Sequence, residues 1–269
     1  MGAADSYRPL AGTYARYRDA GHGPPIVFVH GWALDLDMWE PQVAGLSASH
    51  RLIRWDRRGF GLSGGQPGIA NDVADVRALC QHLDIRRAAF VGMSQGARVI
   101  CELVKTAPAL ISCLVFDGAP DLTRSPGLTA DDVPLERYRS LVRELEFEVF
   151  RREWLAHPMA QLRTRDPAAV ELLRKMVARY PATDLLREQA NGTDEPALEA
   201  VVAARIPALV INGEFDLQTR KDSGDALARA LPGSQYAAIP NAGHLPNLDN
   251  PAAYNAVLRG FLANQPSHL

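Results

Sequence analysis

The first half of the chain alternates short apolar runs with longer segments of helical periodicity. Residues 26–29 form an uninterrupted apolar run, which is typical of a strand buried on both faces. Residues 71–83 place apolar side chains at helical spacing behind Asn71 or Asp72 as a cap, and they predict a helix. The other elements predicted in this half are an edge strand at residues 14–18, strands at 52–55, 88–91 and 111–116, and a helix at 95–106. This alternation indicates a parallel sheet with helices on both faces.

The pattern changes over residues 121–205, where no strand is predicted. Two stretches there, residues 135–154 and 168–180, combine helical periodicity with dense charge of both signs. The alternation then resumes, with strands predicted at residues 208–211 and 235–239 and helices at 221–230 and 251–262. We therefore predict an α/β fold with a mostly parallel central sheet, built from residues 1–120 and 206–269. Residues 121–205 are predicted to form an inserted helical cap (lid).

The composition is that of a globular chain. Of the 269 residues, 47% are hydrophobic and 22% are charged, which excludes a disordered or fibrous protein. The formal net charge of −2 leaves no basic excess to neutralise phosphates, so we expect no nucleic-acid partner. The apolar stretch at residues 106–116 is too short for a bilayer, which needs about 20 residues. Charged residues precede any apolar run at the N-terminus, so we expect a cytoplasmic protein without a signal peptide or a membrane partner.

Cysteine and histidine spacing argues against a disulfide framework and against a metal centre. Cys80, Cys101 and Cys113 lie in apolar stretches, and none belongs to a C-x-x-C pair. We therefore expect buried, reduced thiols. The sequence contains no glycine-rich phosphate loop and no metal-binding cluster of His and Cys. We expect no cofactor, no metal and a small-molecule substrate, while a homo-oligomer stays open.

The strongest chemical signal is Gly92-Met93-Ser94-Gln95-Gly96, which has the form G-x-S-x-G. The motif lies between a predicted strand and a predicted helix, which is the context that a nucleophilic serine on a sharp turn requires. Glycines two positions before and after the serine leave room for the close backbone approach at this turn. The positive end of the helix dipole points to the place where negative charge would develop. Ser94 is therefore the predicted nucleophile.

A serine nucleophile needs a base, and the base needs an acid that orients it. Of the seven histidines, His244 lies in a Gly/Pro-rich loop after the last predicted strand, at the sheet edge where ligands bind. Asp216 follows the preceding strand and reaches the same edge, and the order Ser, Asp, His agrees with these roles. Asp117 is the alternative acid, and Glu214 is a weaker alternative.

Two backbone N–H groups are predicted to bind the oxyanion that acyl transfer creates. One belongs to Gln95, at the start of the helix that follows the nucleophile. The other belongs to Trp32, in the loop His30-Gly31-Trp32 after the first buried strand.

At these residues the chain resembles the α/β-hydrolase fold superfamily over nearly its whole length. The matching segments are His30-Gly31, residues 56–63 (DRRGFGLS), the serine motif, residues 213–216 (GEFD) and Gly243-His244. Residues 30–35 (HGWALD), followed by Met38-Trp39-Glu40, are most similar to bacterial arylesterases, cofactor-free haloperoxidases (perhydrolases) and enol-lactonases. The resemblance implies Ser94 as nucleophile, His244 as base, Asp216 as its orienting acid, and the Trp32 and Gln95 amides as the oxyanion hole. Residues 56–63 are mainly structural in that family, so Arg57 and Arg58 receive no catalytic role.

The resemblance implies a serine hydrolase that cleaves carboxylic esters or lactones of small substrates through an acyl-enzyme. Relatives usually carry Met after the serine and then Gly-Gly, whereas this chain has Gln95-Gly96-Ala97. The change keeps the backbone amide but alters the pocket wall. A carbon–carbon bond hydrolase, a thioesterase or a perhydrolase would use the same three residues. A low-turnover ligand-binding member of the fold would keep them as well, so these alternatives stay open.

Overall fold

A computed structural model describes residues 4–122, 133–187 and 198–265. In this part of the chain, eight strands form one sheet with the order β1-β2-β4-β3-β5-β6-β7-β8. The strands are β1 (Ser6–Leu10), β2 (Thr13–Ala20), β3 (Pro25–Val29), β4 (Arg51–Trp55), β5 (Ala88–Met93), β6 (Ile111–Asp117), β7 (Ala208–Gly213) and β8 (Gln235–Ile239). β1 and β2 are antiparallel to their neighbours, and all the other pairs are parallel. The predicted fold class, a mostly parallel α/β sheet, is confirmed.

Helices connect the strands and cover the sheet. In the described residues they are α1 (Glu40–Leu46), α2 (Ile69–His82), α3 (Gln95–Thr106), α4 (Leu135–Arg143), α5 (Phe147–Ala156), α6 (Pro167–Arg179), α7 (Leu198–Ala204), α8 (Gln218–Ala230), α9 (Pro246–Asp249) and α10 (Pro251–Ala263). Two short 3-10 helices, Leu36–Trp39 and Pro108–Leu110, precede α1 and β6.

The central strands are apolar throughout because their side chains alternate between two hydrophobic clusters. In β3, Ile26 and Phe28 belong to one cluster, and Val27 and Val29 belong to the other. All four side chains are fully buried. A strand buried on both faces has no position for a polar residue, which explains the uninterrupted apolar run in the sequence.

The parallel strands β3 to β8 determine where chemistry can occur. Because these strands run in the same direction, their carboxyl ends meet at one edge of the sheet. The loops that leave this edge are the ones that carry ligand sites in open α/β sheets.

Three predicted elements differ from the structure. The strand predicted at residues 14–18 is not an edge strand, because β1 pairs with its outer side. Helix α2 begins at Ile69 after Gly68, so neither Asn71 nor Asp72 is its cap. The predicted helix at residues 135–154 is two helices, because Leu145 between them has a left-handed φ of 63°.

Four of these strands and α-helices were not predicted: β1, α1, α7 and α9. β1 has mostly exposed side chains and contains Pro9, so it lacks the apolar pattern of a strand. α1 is one of the short helices and contains both a proline and Gly45.

The segment predicted as the cap is helical in its described part. It contains α4 to α7 and no strand among residues 121–122, 133–187 and 198–205. Residues 123–132 and 188–197 lie outside the described residues. Phe150, Trp154 and Met159 of this segment are buried and belong to the same hydrophobic cluster as Ile26 and Phe28 of β3. The division of the chain into a core and a cap stays a prediction, and the name cap is kept for residues 121–205.

The three cysteines are free and buried. Burial raises the pKa of the Cys80 and Cys101 thiols to about 12 and that of Cys113 to about 11, so all three stay protonated near neutral pH. No helix of the described ranges is both long and apolar enough to cross a membrane.

Two glycines inside helices provide a matched test of the packing. Gly260 in α10 is exposed and has no atom within 4 Å of an added Cβ, so Gly260→Ala is expected to raise the free energy of unfolding by about 1 kcal/mol. Gly224 in α8 has its Cβ position occupied by the side-chain oxygen of Asn212, which is fully buried. Gly224→Ala is therefore expected to destabilise the protein by about 1–3 kcal/mol despite the same gain in helix propensity. Urea unfolding measures both changes, and a stabilised Gly224→Ala variant would contradict the packing of α8 on β7.

Candidate active site

Ser94 lies on a tight turn between β5 and α3. Ser94 has a φ of 51° and a ψ of −115°, a left-handed conformation that is strained for a residue that carries a Cβ. A Cβ on Gly92 would lie 2.6 Å from the carbonyl oxygen of Gly96, and a Cβ on Gly96 would overlap with the carbonyl oxygen of Val29. Only glycine fits at these two positions, as the motif predicts.

His244 and Asp216 form a buried hydrogen-bonded pair. The Nδ1 atom of His244 lies 3.0 Å from Oδ1 and 3.1 Å from Oδ2 of Asp216. The backbone N–H of Leu217 donates to Asp216 Oδ1 at 2.8 Å, and the Asn212 amide lies 3.4 Å from Oδ2. The carboxylate therefore has donors on both oxygens, which fixes its plane and the imidazole that it orients.

Asp216 is ionised near neutral pH. Burial alone would raise its pKa, but the charge and hydrogen bond of His244, together with the Leu217 N–H, hold the pKa of Asp216 below its ordinary value. An ionised Asp216 favours the tautomer of His244 with the proton on Nδ1. This leaves Nε2 as the free basic nitrogen.

Ser94 and His244 both lie next to the backbone of Asp117 and Gly118. The N–H of Ser94 donates to the carbonyl oxygen of Asp117 at 2.8 Å. An added Cβ on Gly118 would lie 2.9 Å from Cε1 of His244, so the next residue of the same segment borders the imidazole.

The hydrogen bond expected between Ser94 and His244 is not formed. Among the described residues, His244 Nε2 is buried and has no hydrogen-bond partner. Such bonds are often long in catalytic sites without substrate and shorten when substrate binds. The unpartnered Nε2 leaves the basic nitrogen free to accept a proton.

The two alternative acids have other partners. Asp117 is fully buried at the end of β6 and accepts a hydrogen bond from the Tyr254 hydroxyl at 3.1 Å. Burial raises the pKa of Asp117 well above its ordinary value, and the charge of Asp216 raises it further against the opposing hydrogen bond from Tyr254. Glu214 is exposed and accepts the backbone N–H of Asn241 at 2.9 Å. Neither carboxyl group contacts His244 through a hydrogen bond within the described residues.

The two predicted oxyanion donors belong to segments that pack against Ser94. A Cβ on Gly31 would lie 3.4 Å from the Cβ of Ser94, which places the backbone that leads to Trp32 beside the nucleophile. Gln95 is the first residue of α3. Within the described ranges, neither the Trp32 nor the Gln95 N–H donates a hydrogen bond, so both are available. Their role as an oxyanion hole stays a prediction.

A buried arginine connects these two segments. Arg57 donates from Nη1 to Gln95 Oε1 at 2.8 Å, and its guanidinium is paired with Asp72 at 2.8 Å. The backbone N–H of Arg57 donates to His30 Nε2 at 2.9 Å, and His30 Nδ1 lies 2.8 Å from the carbonyl oxygen of Gly31. Burial and the charge of Arg57 lower the pKa of His30 well below its ordinary value, so the ring is neutral. The structural role expected for Arg57 fits these contacts.

No group of three or more His, Cys, Asp and Glu side chains that could hold a metal ion occurs in the part of the chain that the structure describes.

Comparison with known families agrees with the observed fold. A family model described as the alpha/beta hydrolase fold matches residues 24–251. The chain therefore belongs to the α/β-hydrolase fold family.

Among individual proteins, the chain is similar to bacterial proteins named as a bromoperoxidase, an esterase and an enol-lactonase. BpoC of Mycobacterium tuberculosis, provisionally named a non-heme bromoperoxidase, is 33% identical over 92% of this chain and 97% of its own. A thermophilic esterase from Thermogutta terrifontis has a TM-score of 0.82 at 25% identity and covers 97% of this chain and 98% of its own. The enol-lactonase from Burkholderia xenovorans LB400 has a TM-score of 0.79 at 25% identity, over 96% of this chain and all of its own.

Three side chains that contact predicted site residues could not be found by the sequence patterns above. Asn212 contacts Asp216, and Tyr254 contacts Asp117. Asp184 of the cap accepts a hydrogen bond from the indole of Trp32. Asn212 lies inside an apolar strand, and a polar residue at such a position was the available signal. Asp184 carries no motif, and only the fold brings it to Trp32.

The two buried aspartates give opposite predictions. Asp216→Asn is expected to lower kcat by about 10³–10⁴-fold, because the amide no longer holds the reactive tautomer of His244. Asp117→Asn is expected to leave kcat close to that of the parent, because among the described residues the Asp117 carboxyl group bonds to Tyr254 and not to His244. Steady-state kinetics with an activated aryl ester measures both, and a larger loss in Asp117→Asn would make Asp117 the acid of the site.

Asp117 also predicts a pH dependence of stability. Its pKa in the folded protein is raised above that of the unfolded chain, so between these two values the folded state holds more protons. By linkage, its contribution to the free energy of unfolding falls as the pH rises above about 4. Urea unfolding at several pH values should show a weaker decline for Asp117→Asn than for the parent, and parallel curves would contradict the raised pKa of Asp117.

Proposed function

We propose that this protein is a serine hydrolase that cleaves carboxylic esters or lactones of small substrates through an acyl-enzyme at Ser94. The observation that carries the proposal is the buried His244–Asp216 pair at the sheet edge where Ser94 lies on its strained turn. Relatives named as an esterase and an enol-lactonase support the same reaction class.

In the first half-reaction, the Ser94 oxygen attacks the substrate carbonyl carbon while His244 Nε2 accepts the hydroxyl proton. The π electrons of the substrate C=O bond move to the carbonyl oxygen, and the Trp32 and Gln95 amides bind the resulting oxyanion. Each such donor is worth about 3–4 kcal/mol of barrier. Collapse of the tetrahedral intermediate breaks the bond to the leaving oxygen, which takes the proton from His244 and departs as an alcohol.

In the second half-reaction, water repeats the sequence. His244 takes a proton from water as its oxygen attacks the acyl carbon on Ser94. A second oxyanion forms and collapses, the bond to Ser94 breaks, and the serine oxygen recovers its proton from His244. The product is a carboxylic acid, or the hydroxy acid when the substrate is a lactone. Asp216 stays ionised throughout and stabilises the imidazolium of each step.

Hydrogen peroxide is a second candidate acceptor, because the relative BpoC is named as a bromoperoxidase. Hydrogen peroxide in place of water would convert the same acyl-enzyme into a peracid. The Gln95-Gly96-Ala97 sequence replaces the Met-Gly-Gly usual in such relatives, so ester hydrolysis is the function that we put first.

Ser94→Ala tests the proposal. With p-nitrophenyl acetate, kcat/KM is expected to fall by at least about 10⁴-fold, because a nucleophile of this kind works as a unit with its base. Ser223→Ala is the matched control and should keep parent activity, because among the described residues this α8 hydroxyl donates only to the Thr219 carbonyl oxygen of its own helix.

The same assay separates the rival functions. Retention of most of the activity in Ser94→Ala would contradict the proposal. One equivalent of released product followed by no turnover in the parent would identify a binding protein. A series of aryl esters, alkyl esters, thioesters and lactones, compared by kcat/KM with and without hydrogen peroxide, distinguishes the hydrolase types that share the acyl-enzyme.

A further inference from the structure

The indole of Trp32 extends from the core into a group of aromatic side chains of the cap. Its ring centroid lies 4.7 Å from that of Trp154 and 5.6 Å from that of Tyr180, both nearly edge to face. Tyr138 and Phe150 lie at 6.4 Å. All four of these aromatic neighbours belong to the cap, so the cap helps to set the position of this ring.

Within this apolar group, one cap carboxylate fixes the rotation of the indole. Trp32 Nε1 donates to Asp184 Oδ2 at 2.7 Å, and the Tyr180 hydroxyl donates to Oδ1 of the same carboxylate. Tyr180 is buried and stacks on Phe60 of the core, with ring centroids 5.5 Å apart. Burial and the charge of Asp184 raise the pKa of Tyr180 well above its ordinary value, so its hydroxyl keeps the proton that it donates.

The backbone on either side of Trp32 is constrained. Gly31 packs against Ser94, and Ala33 has a left-handed φ of 57° although it carries a Cβ. A residue other than glycine keeps this conformation only where its surroundings impose it. The anchored indole is one such constraint, and the residue between the two constrained positions is the one whose N–H is the proposed oxyanion donor.

We propose that Asp184 is a positioning residue for the oxyanion hole: it holds the Trp32 indole and thereby aims the Trp32 N–H at the reacting carbonyl oxygen. Asp184 acts through Trp32 and not on the substrate. The cap then has a part in the chemical step besides lining a pocket. This inference rests on the proposed function, because an oxyanion forms only if Ser94 attacks an acyl group.

A double-mutant cycle tests the link. Asp184→Asn weakens the bond to the indole, and Trp32→Phe removes the indole N–H while keeping an aromatic ring and the backbone amide. Each is expected to lower kcat roughly tenfold with little change in KM, because a small misdirection of a catalytic group costs rate before it costs binding. The double variant should lose no more than Trp32→Phe alone, since both changes break the same connection.

A transition-state analogue gives an independent readout. An aryl trifluoromethyl ketone forms a tetrahedral adduct whose oxygen needs the oxyanion donors, so its affinity should fall with kcat in Asp184→Asn and Trp32→Phe. The control is Glu153→Gln, which alters a partly exposed cap carboxylate that pairs with Arg137 and should change neither quantity.

Additive losses in the double variant, or a higher KM at unchanged kcat, would overturn the inference and leave Asp184 as a packing residue of the cap. Urea unfolding of each variant establishes that it is folded. If Asp184→Asn does not fold, Tyr180→Phe, which removes only the second donor to Asp184, replaces it with a smaller expected loss in kcat. An active Ser94→Ala would refute the proposed function itself, whereas an inactive Ser94→Ala beside a fully active Asp184→Asn would refute this inference alone.

Discussion

Three backbone segments approach one another closely around Ser94, and the rest of the site depends on this constraint. β5 ends in a turn whose left-handed serine costs about 1–3 kcal/mol, and the cost is tolerated only because the sheet holds both sides of the turn. Gly96 lies against the end of β3, and Gly31 lies against Ser94 itself. The backbone contacts that require glycine at position 96 and the packing of Gly31 on Ser94 lie beside the predicted oxyanion amides. Backbone packing, and not the catalytic side chains, therefore determines the shape of this region.

The pKa values of the two buried carboxyl groups of the site depend on how many hydrogen-bond donors each one has. Asp216 has His244 on one side and the Leu217 N–H on the other, and it stays charged. Asp117 has only the Tyr254 hydroxyl among the described residues, and burial raises its pKa well above its ordinary value. The pKa values of two carboxyl groups at the ends of neighbouring strands are thus shifted in opposite directions. The imidazole is hydrogen-bonded to Asp216, the carboxyl group whose pKa is lowered.

The cap is tied to the core by polar contacts as well as by its aromatic group. Arg179, at the end of α6, donates to Asp35 at 2.7 Å and to Asp37 at 2.6 Å, both in the segment that follows Trp32. Burial raises the pKa of Asp35, while the charge of Arg179 opposes that rise. Together with the Asp184 contact, these bonds hold the cap over the loop that carries the Trp32 amide. Substrate access and the geometry of this loop are therefore expected to depend on the same segment.

The fold and the principal site residues could be predicted because their signals are local. An uninterrupted apolar run such as residues 26–29 requires burial on both faces, and the glycines of the serine motif encode a specific backbone turn. β1 could not be predicted, because an exposed edge strand needs no apolar pattern. Leu145 gives no sign in the sequence of the left-handed break between α4 and α5. Asp184 and Trp32 lie 152 positions apart, and their contact depends on how the cap packs on the core, which no local pattern encodes.

The most direct measurement is the site of covalent modification by diethyl p-nitrophenyl phosphate, an organophosphate that acylating serines attack and whose adduct resists hydrolysis. Mass spectrometry of the peptides after labelling reads out the modified residue. One diethylphosphoryl group per chain is expected on Ser94, together with loss of esterase activity. Labelling of the Asp216→Asn variant is expected to be slower. Labelling of another residue, or a folded and active protein that takes up no label at Ser94, would contradict it.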